Sequence, residues 1–517
     1  MRGPIVRLIR YSRNPYDLSV ATARTCYSSK GIVLPEDVSR DERAKRVRDR
    51  IARSTLQAGH LTTRGHAFFV FAIDRISRAA IWSFLHSHPF YNSEQVSQRY
   101  VRASPDNFLV PPINGKALDV YLETISIQMK AYERLVELLI PRVGQEYFRI
   151  FPSRSSKPER WEGEIARRAY EVARYILPIA TYAYMYHTIN GVTLHRYARL
   201  AESFDFPQEI RLLVERMIES VKLIDPNFAG ELHDPIPLEE TPEYRAVEEA
   251  FGMGWRLGDE GFIREFDSLI GDRSSLLIEF TGEGEGILAH SVRCVLGLSR
   301  GEMDDEAALR LLLDPARNPL LSETLNPAPH SKLMRTMNHV HYVFAKKLSH
   351  TADSQDQRHR TVPGSRPIIH RLYTGRPDYV TPKLIRAIPE AEEVYDEAMR
   401  RCFEGINRLL EMKVPTEWAM YLLPNGFPIR FIESGTLMNL HHKWRMRLCF
   451  NAQEEIFHAS LDEVRQVSQV HPSIARFLGP PCWFRSRSGL TPPCPEGDRF
   501  CGVRVWEKRP EDYDRLI

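Results

Sequence analysis

Two periodicities divide the chain into short apolar runs of strand length and longer stretches with an apolar residue every three or four positions. Val6 to Tyr27 predicts a strand, a polar turn at Asn14-Pro15 and a helix ending near Cys26. The layout returns at Leu276 to Leu296, which sets Phe280-Thr281 against Tyr11-Ser12 and Arg293 against Arg24 without a gap. A second pair of segments, His66 to His86 and His330 to His350, separates two histidines by the same interval. Matching segments in the same order predict a tandem duplication.

Helical spacing supports it. Leu122, Ile125, Met129, Tyr132, Val136 and Leu139 predict one core-facing helix, and Tyr395, Met399, Cys402, Ile406 and Leu409 predict its later counterpart. Between the halves, Asp225 to Asp272 carries Pro226, Pro235, Pro237 and Pro242, which suits a connection with one helix around Tyr244 to Phe251. The expected division is residues 1–235, a linker 236–272, a second repeat 273–470 and a tail 471–517.

With 517 residues, 43% of them hydrophobic, the chain holds enough apolar material for more than one core. The 70 Lys+Arg nearly cancel 67 Asp+Glu, so no global field recruits nucleic acid or a membrane, and an anion site has to be local. No apolar run reaches the roughly 18 residues of a membrane span, and Met1 to Arg13 lacks a signal-peptide core; a cytoplasmic location is expected.

The densest chemistry follows an apolar strand at Phe68 to Ile73 and an apolar helix at Ile76 to Leu85. There His86 to Val101, HSHPFYNSEQVSQRYV, crowds two histidines with Asn92, Ser93, Glu94, Gln95, Ser97, Gln98, Arg99 and Tyr100. From composition alone, a hydrogen-bonded turn remains open as an alternative.

This string resembles the signature of the flavin-dependent thymidylate synthases, RHRxxSxNExSxRY, preceded by a His66-x-x-Phe69-x-Phe71 strand and Ser77-Arg78. Asn14-Pro15, Ala23 to Tyr27, Ala173 to Pro178, Leu194 to Leu200, Pro207 to Arg211, Tyr421 to Pro424 and Leu437 to Ile456 resemble further landmarks of that family. The resemblance implies an α/β (α+β) fold of two tandem homologous domains, each a twisted β-sheet with long flanking helices. It implies an enzyme, a methyltransferase that reductively methylates dUMP to dTMP with FAD as cofactor and methylenetetrahydrofolate and NAD(P)H as co-substrates. Carried over residue by residue, Ser97 and Arg99 are the catalytic candidates, and Glu94, Ser97, Gln98, Arg99, Arg174 and Arg447 would bind dUMP. His66, His86, Ser87, His88 and Asn190 would face FAD. Neither nucleic acid nor membrane is an expected partner; a homodimer forming a pseudo-tetramer is.

This chain departs from the signature. Histidines replace both arginines of RHR, and the loop is one residue longer between His88 and Ser97. In the second half, Asp356-Gln357-Arg358-His359 stands where SxRY is expected, although Arg358 and Arg360 could bind some anion, and Met420 falls at the Arg174 position. These complementary losses predict one working site that joins the first-half loop to arginines of the second half or of a partner chain. A catalytically degenerate FAD- or nucleotide-binding paralogue with a regulatory or scaffold role, and a flavin enzyme acting on another pyrimidine nucleotide, remain alternatives.

The Pro/Gly-rich tail, GPPCWFRSRSGLTPPCPEGDRFCG from Gly479, is too poor in apolar residues for a core of its own. Its Cys482, Cys494 and Cys501, joined by Cys449, form a candidate structural zinc set, with buried thiols or disulfides as the alternative.

Overall fold

The computed structural model describes residues 3–251, 257–513 and 515. The first half holds β1 (Ile5–Tyr11), α1 (Pro15–Thr25), β2 (Phe68–Ser77), α2 (Arg78–Leu85), β3 (Tyr91–Gln95), α3 (Gly115–Ile150), α4 (Glu162–Ala173), β4 (Tyr182–Asn190), α5 (Gly191–Leu200) and α6 (Pro207–Lys222). Its strands pair antiparallel in the order β1-β2-β4-β3. Alternation works as expected for a half-buried sheet: Phe69, Phe71 and Ile73 face a core, while Phe68, Tyr184 and Tyr186 expose their rings on the other face.

Two linker helices follow, α7 (Pro242–Phe251) and α8 (Glu260–Ile270). The expected helix near Tyr244 is α7. The linker is also pinned down: Gly258 N–H donates to Tyr373 O at 2.7 Å, and Asp267 on α8 pairs with both Lys347 and Arg430.

The second half repeats the plan with β5 (Ser275–Phe280), α9 (Gly284–Leu296), β6 (His341–Ser349), α10 (His350–Asp356), β7 (Gly364–Ser365), α11 (Pro389–Glu411), α12 (Thr416–Met420), β8 (Pro428–Thr436), α13 (Leu437–Arg447) and α14 (Glu454–Val470). Its sheet order, β5-β6-β8-β7, matches that of the first. The fold is α/β with two tandem sheets, as the sequence implied. The alignment of Tyr11-Ser12 with Phe280-Thr281 is reproduced in hydrogen bonds: Ser12 Oγ accepts from Phe68 N–H and Thr281 Oγ1 from His341 N–H, both at 3.0 Å.

The second sequence pairing needs correction. Ser77 and Ser349, each accepting from the N–H three residues ahead, mark the same strand-to-helix junction in the two halves. Counting from them, His350 matches Arg78, and Arg358-His359-Arg360 matches His86-Ser87-His88. The equal spacing of the four histidines was coincidental; the register is set by strand and cap.

The halves meet about a pseudo-two-fold axis. Pro178 bridges to Pro424, and Ile179 N–H and Asn425 N–H donate to Leu423 O and Leu177 O, both at 2.8 Å. Beside them, buried Glu209 accepts from Ser77 of its own half and from Tyr421 of the other; Glu455 accepts from Ser349 of its own half and from Tyr175 of the other. The long helices α3 and α11 cross at Gly405, where any side chain would collide with Thr124. One continuous core, with Tyr132, Leu135, Met399 and Ile406 in it, therefore belongs to both halves, and each half adds a smaller core of its own. The tail packs into the second of these through Trp483, Phe484, Val505 and Tyr513. Among the described residues, no helix is long and apolar enough to cross a membrane.

Candidate functional site

The pseudo-two-fold arrangement brings the β3 region of the first half against the α10 end of the second. Between them lies a cleft of about 250 Å³, lined by Arg78, Ser97, Gln98, Arg99 and Arg174 on one side and by Thr351, Ser354, Gln355, Arg358, Asn425 and Arg447 on the other. Arg99 pairs with buried Glu171 at 2.9 Å and donates to Asn451 O at 2.9 Å, and Ser97 Oγ accepts from Arg99 N–H. Asn425 Nδ2 holds Gln98 Oε1 at 3.1 Å and Arg174 O at 3.0 Å. Arg447 donates to His359 Nε2 and to Gln355 O.

Cations dominate this cleft. Five arginines share it, and burial together with like charge lowers Arg78 and Arg447 to about 10 and depresses Arg174 as well. Burial pushes the Glu171 carboxyl up, yet Arg99 and Arg174 outweigh it and hold the group below its ordinary value. Arg78 Nε, Arg174 Nη2, Gln98 Nε2 and Gln355 Nε2 are buried without a hydrogen-bond partner among the described residues. A buried donor left unpaired is costly, so four of them around an arginine cluster fit a polar anion with several acceptors, such as a phosphate ester.

Of the residues expected at dUMP, Ser97, Gln98, Arg99, Arg174 and Arg447 come together here. Glu94 does not: it lies in a neighbouring cleft with Asn92, where Arg358 grips its two oxygens at 2.8 and 2.9 Å. Arg358 borders both clefts, and Arg360 donates to Asn92.

The five residues expected at FAD are dispersed. His86 turns inward, with Nδ1 on Trp82 O and Nε2 on Asp353 O. His88 Nε2 contacts the Tyr197 hydroxyl, which also meets His187, and His88 Nδ1 accepts from Phe90 N–H; burial lowers its pKa to about 4. Both imidazoles are neutral and internally bonded, so neither balances a pyrophosphate. Ser87 and His88 border a separate large cavity. His66 is exposed at the start of β2, and Asn190 caps α5 by accepting from Thr193 N–H. An Arg-His-Arg string does occur in this chain, at Arg358-His359-Arg360, with Gln355 three residues before it. The string is legible in the sequence and was misplaced by the histidine register. Arg78 was marked in the sequence only as part of the Ser77-Arg78 landmark, and Asn425 had no signal of its own; the packing of the halves brings both to this cleft.

Asp353 ties the halves together behind the cleft: Trp82 Nε1 donates to it at 2.7 Å and Arg366 at 2.8 Å. Burial raises this carboxyl, but Arg366 and His86 prevail and hold it at about 2. A depressed carboxylate stabilises the fold above its unfolded value near 3.8 and loses that contribution as pH falls towards 2. Asp353→Asn is expected to cost about 2 kcal/mol in urea unfolding at pH 7, with the gap to the parent closing between pH 4 and 2.

The zinc expectation is corrected. Among the described residues, no group of three or more His, Cys, Asp or Glu side chains is arranged to hold a metal ion. Cys449, Cys482, Cys494 and Cys501 are free thiols close enough to raise one another electrostatically, and burial pushes Cys449 and Cys482 up to about 12. Cys482 is buried in the second half's core, and Cys494 and Cys501 pack against it.

With this geometry in place, similarity to known proteins is informative. The family model described as "Thymidylate synthase complementing protein" matches residues 7–227 and again 277–473. The chain belongs to this family, as a tandem repeat. It is 28% identical over 229 residues to the flavin-dependent thymidylate synthase of Clostridium tetani, covering 44% of this chain and 85% of that one. It is 32% identical over 177 residues to that of Geobacter sulfurreducens, covering 34% and 73%. Among solved structures, the UMP/dUMP methylase PolB from Streptomyces cacaoi bound with 5-Br dUMP aligns at 18% identity and a TM-score of 0.29, over 45% of this chain and 95% of that one. The second family segment contains Arg358, Gln355 and Arg447, and the first contains Ser97, Arg99 and Arg174, so the composite cleft takes its two walls from the two family copies.

Proposed function

We propose that the chain is a flavin-dependent thymidylate synthase with one working site per chain, in the composite arginine cleft, where dUMP is methylated to dTMP. The observation that carries this reading is the complementarity of the walls. The first half supplies Ser97, Gln98, Arg99 and Arg174, the second supplies Gln355, Arg358 and Arg447, and each half lacks what the other keeps. Arg99, Arg174 and Arg447 neutralise the phosphate, and Gln98 and Gln355 turn their free amides to the pyrimidine.

FAD supplies the hydride chemistry when bound. The guanidiniums of Arg358, exposed and paired with Glu94, and Arg360, half-buried on Asn92 and the Tyr91 ring, suit its pyrophosphate; the neutral His86 and His88 do not. Methylenetetrahydrofolate and NAD(P)H complete the reaction. The bare aromatic face of the first sheet, Phe68, Tyr184 and Tyr186, supports pairing of two chains into a pseudo-tetramer.

Purified protein is expected to carry one FAD per chain and to release tritium from 5-tritiated dUMP when given methylenetetrahydrofolate and NADPH. A colourless preparation that FAD cannot reconstitute, or one that releases no tritium, overturns the reading. Arg174→Met copies what the second half already has at Met420, and it is expected to lower kcat/KM for dUMP at least tenfold while FAD stays bound.

A further inference from the structure

The pseudo-two-fold axis that builds the arginine cleft also generates its counterpart. Tyr175 and Tyr421 are equivalent through their matching glutamates, so Glu171 and Arg174 correspond to Glu417 and Met420. By the same relation Arg447 corresponds to Ala201, and the Arg358 loop to His86-Ser87-His88. At this second position the chain does not close up. A cavity of about 900 Å³ opens there, walled by Phe204, Phe206, Tyr197 and Met420 and bordered by the linker segment 238–243.

Its charge is the reverse of the first cleft. Asp205, Glu417, Glu240 and Glu243 line it, and of the lining arginines Arg366 is already paired with Asp353 and Arg196 lies over Phe90 at the rim. His88 is neutral, with both nitrogens bonded. Glu417 shows what the exchange did. Its counterpart Glu171 is held ionised by two arginines, whereas burial, with Glu209 nearby and Arg211 opposing, pushes Glu417 up to about 7, and burial pushes Asp205 to about 6. Backbone N–H groups donate to both carboxyls: Asp205 Oδ1 accepts from Ile369 N–H, and Glu417 Oε1 from Gln208 N–H. Both carboxyls line the cavity. An oxyanion ligand meets carboxylates here and pays their repulsion; a flat ring edge with adjacent N–H donors meets a two-oxygen acceptor and aromatic walls.

We propose that this cavity is a second ligand site, for a planar, weakly basic nitrogen heterocycle of the aminopyrimidine type that carries no phosphate, gripped by Asp205 and Glu417. The duplicated active-site position has thus exchanged a nucleotide phosphate for a ring that donates hydrogen bonds, through the replacement of arginines by Met420, Ala201 and histidines. The inference rests on the cavity and its carboxyls, and not on catalysis at the other cleft.

The test uses the full chain and 2,4-diaminopteridine as a fluorescent probe. One probe per chain is expected to bind, with saturating dUMP leaving it in place. Glu417→Gln and Asp205→Asn, both isosteric, are expected to weaken it at least tenfold each, and Leu200→Trp, which adds bulk at the cavity wall, to abolish binding. Arg99→Ala in the arginine cleft is expected to leave probe affinity within twofold while weakening dUMP, which separates a failure here from a failure of the synthase reading. Absence of binding, binding that survives both carboxyl substitutions in folded variants, or displacement of the probe by dUMP or by FAD overturns the proposal.

Discussion

Arg447→Ala is expected to raise the dissociation constant for dUMP by about 10- to 100-fold, the worth of one charge-assisted hydrogen bond to a phosphate. Arg447 is buried in the second half, yet it faces Ser97, Arg99 and Arg174 of the first. Its Nε and one Nη are fixed by His359 Nε2 and Gln355 O, which aim the remaining face of the guanidinium at the cleft. Burial, with Arg99 and Arg358 nearby, has lowered its pKa to about 10, so the cation is destabilised until an anion arrives. Arg447→Lys keeps the charge without the planar fork and is expected to recover only part of the affinity. Equilibrium titration with dUMP checks both variants. Unchanged affinity in Arg447→Ala would remove this residue from the site and with it the composite model.

The largest expected loss of stability comes from Lys346→Met. Lys346 Nζ lies 3.0 Å from each of Asp356, Glu433 and Glu463, and Lys443 contacts Asp356 and Glu433; all five side chains are at most 2% exposed. Burial raises these acids, and the two lysines bring Asp356 and Glu463 back below their ordinary values. Removing one lysine leaves three buried carboxyls with Lys443 and, at 3.9 Å from Glu433, Arg366, at a cost of about 3–5 kcal/mol. Guanidinium unfolding at neutral pH is expected to show that loss, and the gap should shrink as pH falls and the orphaned acids protonate. Asp356 immediately precedes Gln357 and Arg358, so the network also anchors the loop that carries the second wall of the cleft. A stability change below 1 kcal/mol would show that the network is replaceable by apolar packing.

This network also shows where sequence reading stops. Glu433 and Lys443 fall where the first half has His187 and Tyr197, which stack on each other and pack at a tilt against Phe84 in an aromatic cluster. In one dimension Lys346 in β6, beside Lys347, and Glu433 in β8, three residues after Arg430, are charges in largely apolar strands with no visible partner across the chain. Only the stacking of α10, α13 and α14 on that sheet turns such charges into mutual partners.

Local periodicity and caps were enough to specify the duplicated strands and helices, because strand alternation, helical spacing and turn residues act over a few positions. They placed β1 and α1, the core-facing stripe of α11, that of α3 from Ile125 to Leu139 although Leu122 at its start is exposed, and the linker helix α7. The loop from Ser97 to Arg99 was legible for the same reason, as a dense local string. The register between the halves was not, since equally spaced histidines mimicked an equivalence that the caps at Ser77 and Ser349 assign elsewhere.

What the sequence determined by itself is therefore the family, the duplication and the residues each copy kept. Which residues face one another was decided by the tertiary structure. A two-fold contact across Pro178 and Pro424 joins the wall retained by one half to the wall retained by the other. The same contact creates two unlike pockets from one ancestral plan, since a pocket's charge depends on groups hundreds of residues apart that only packing brings within reach.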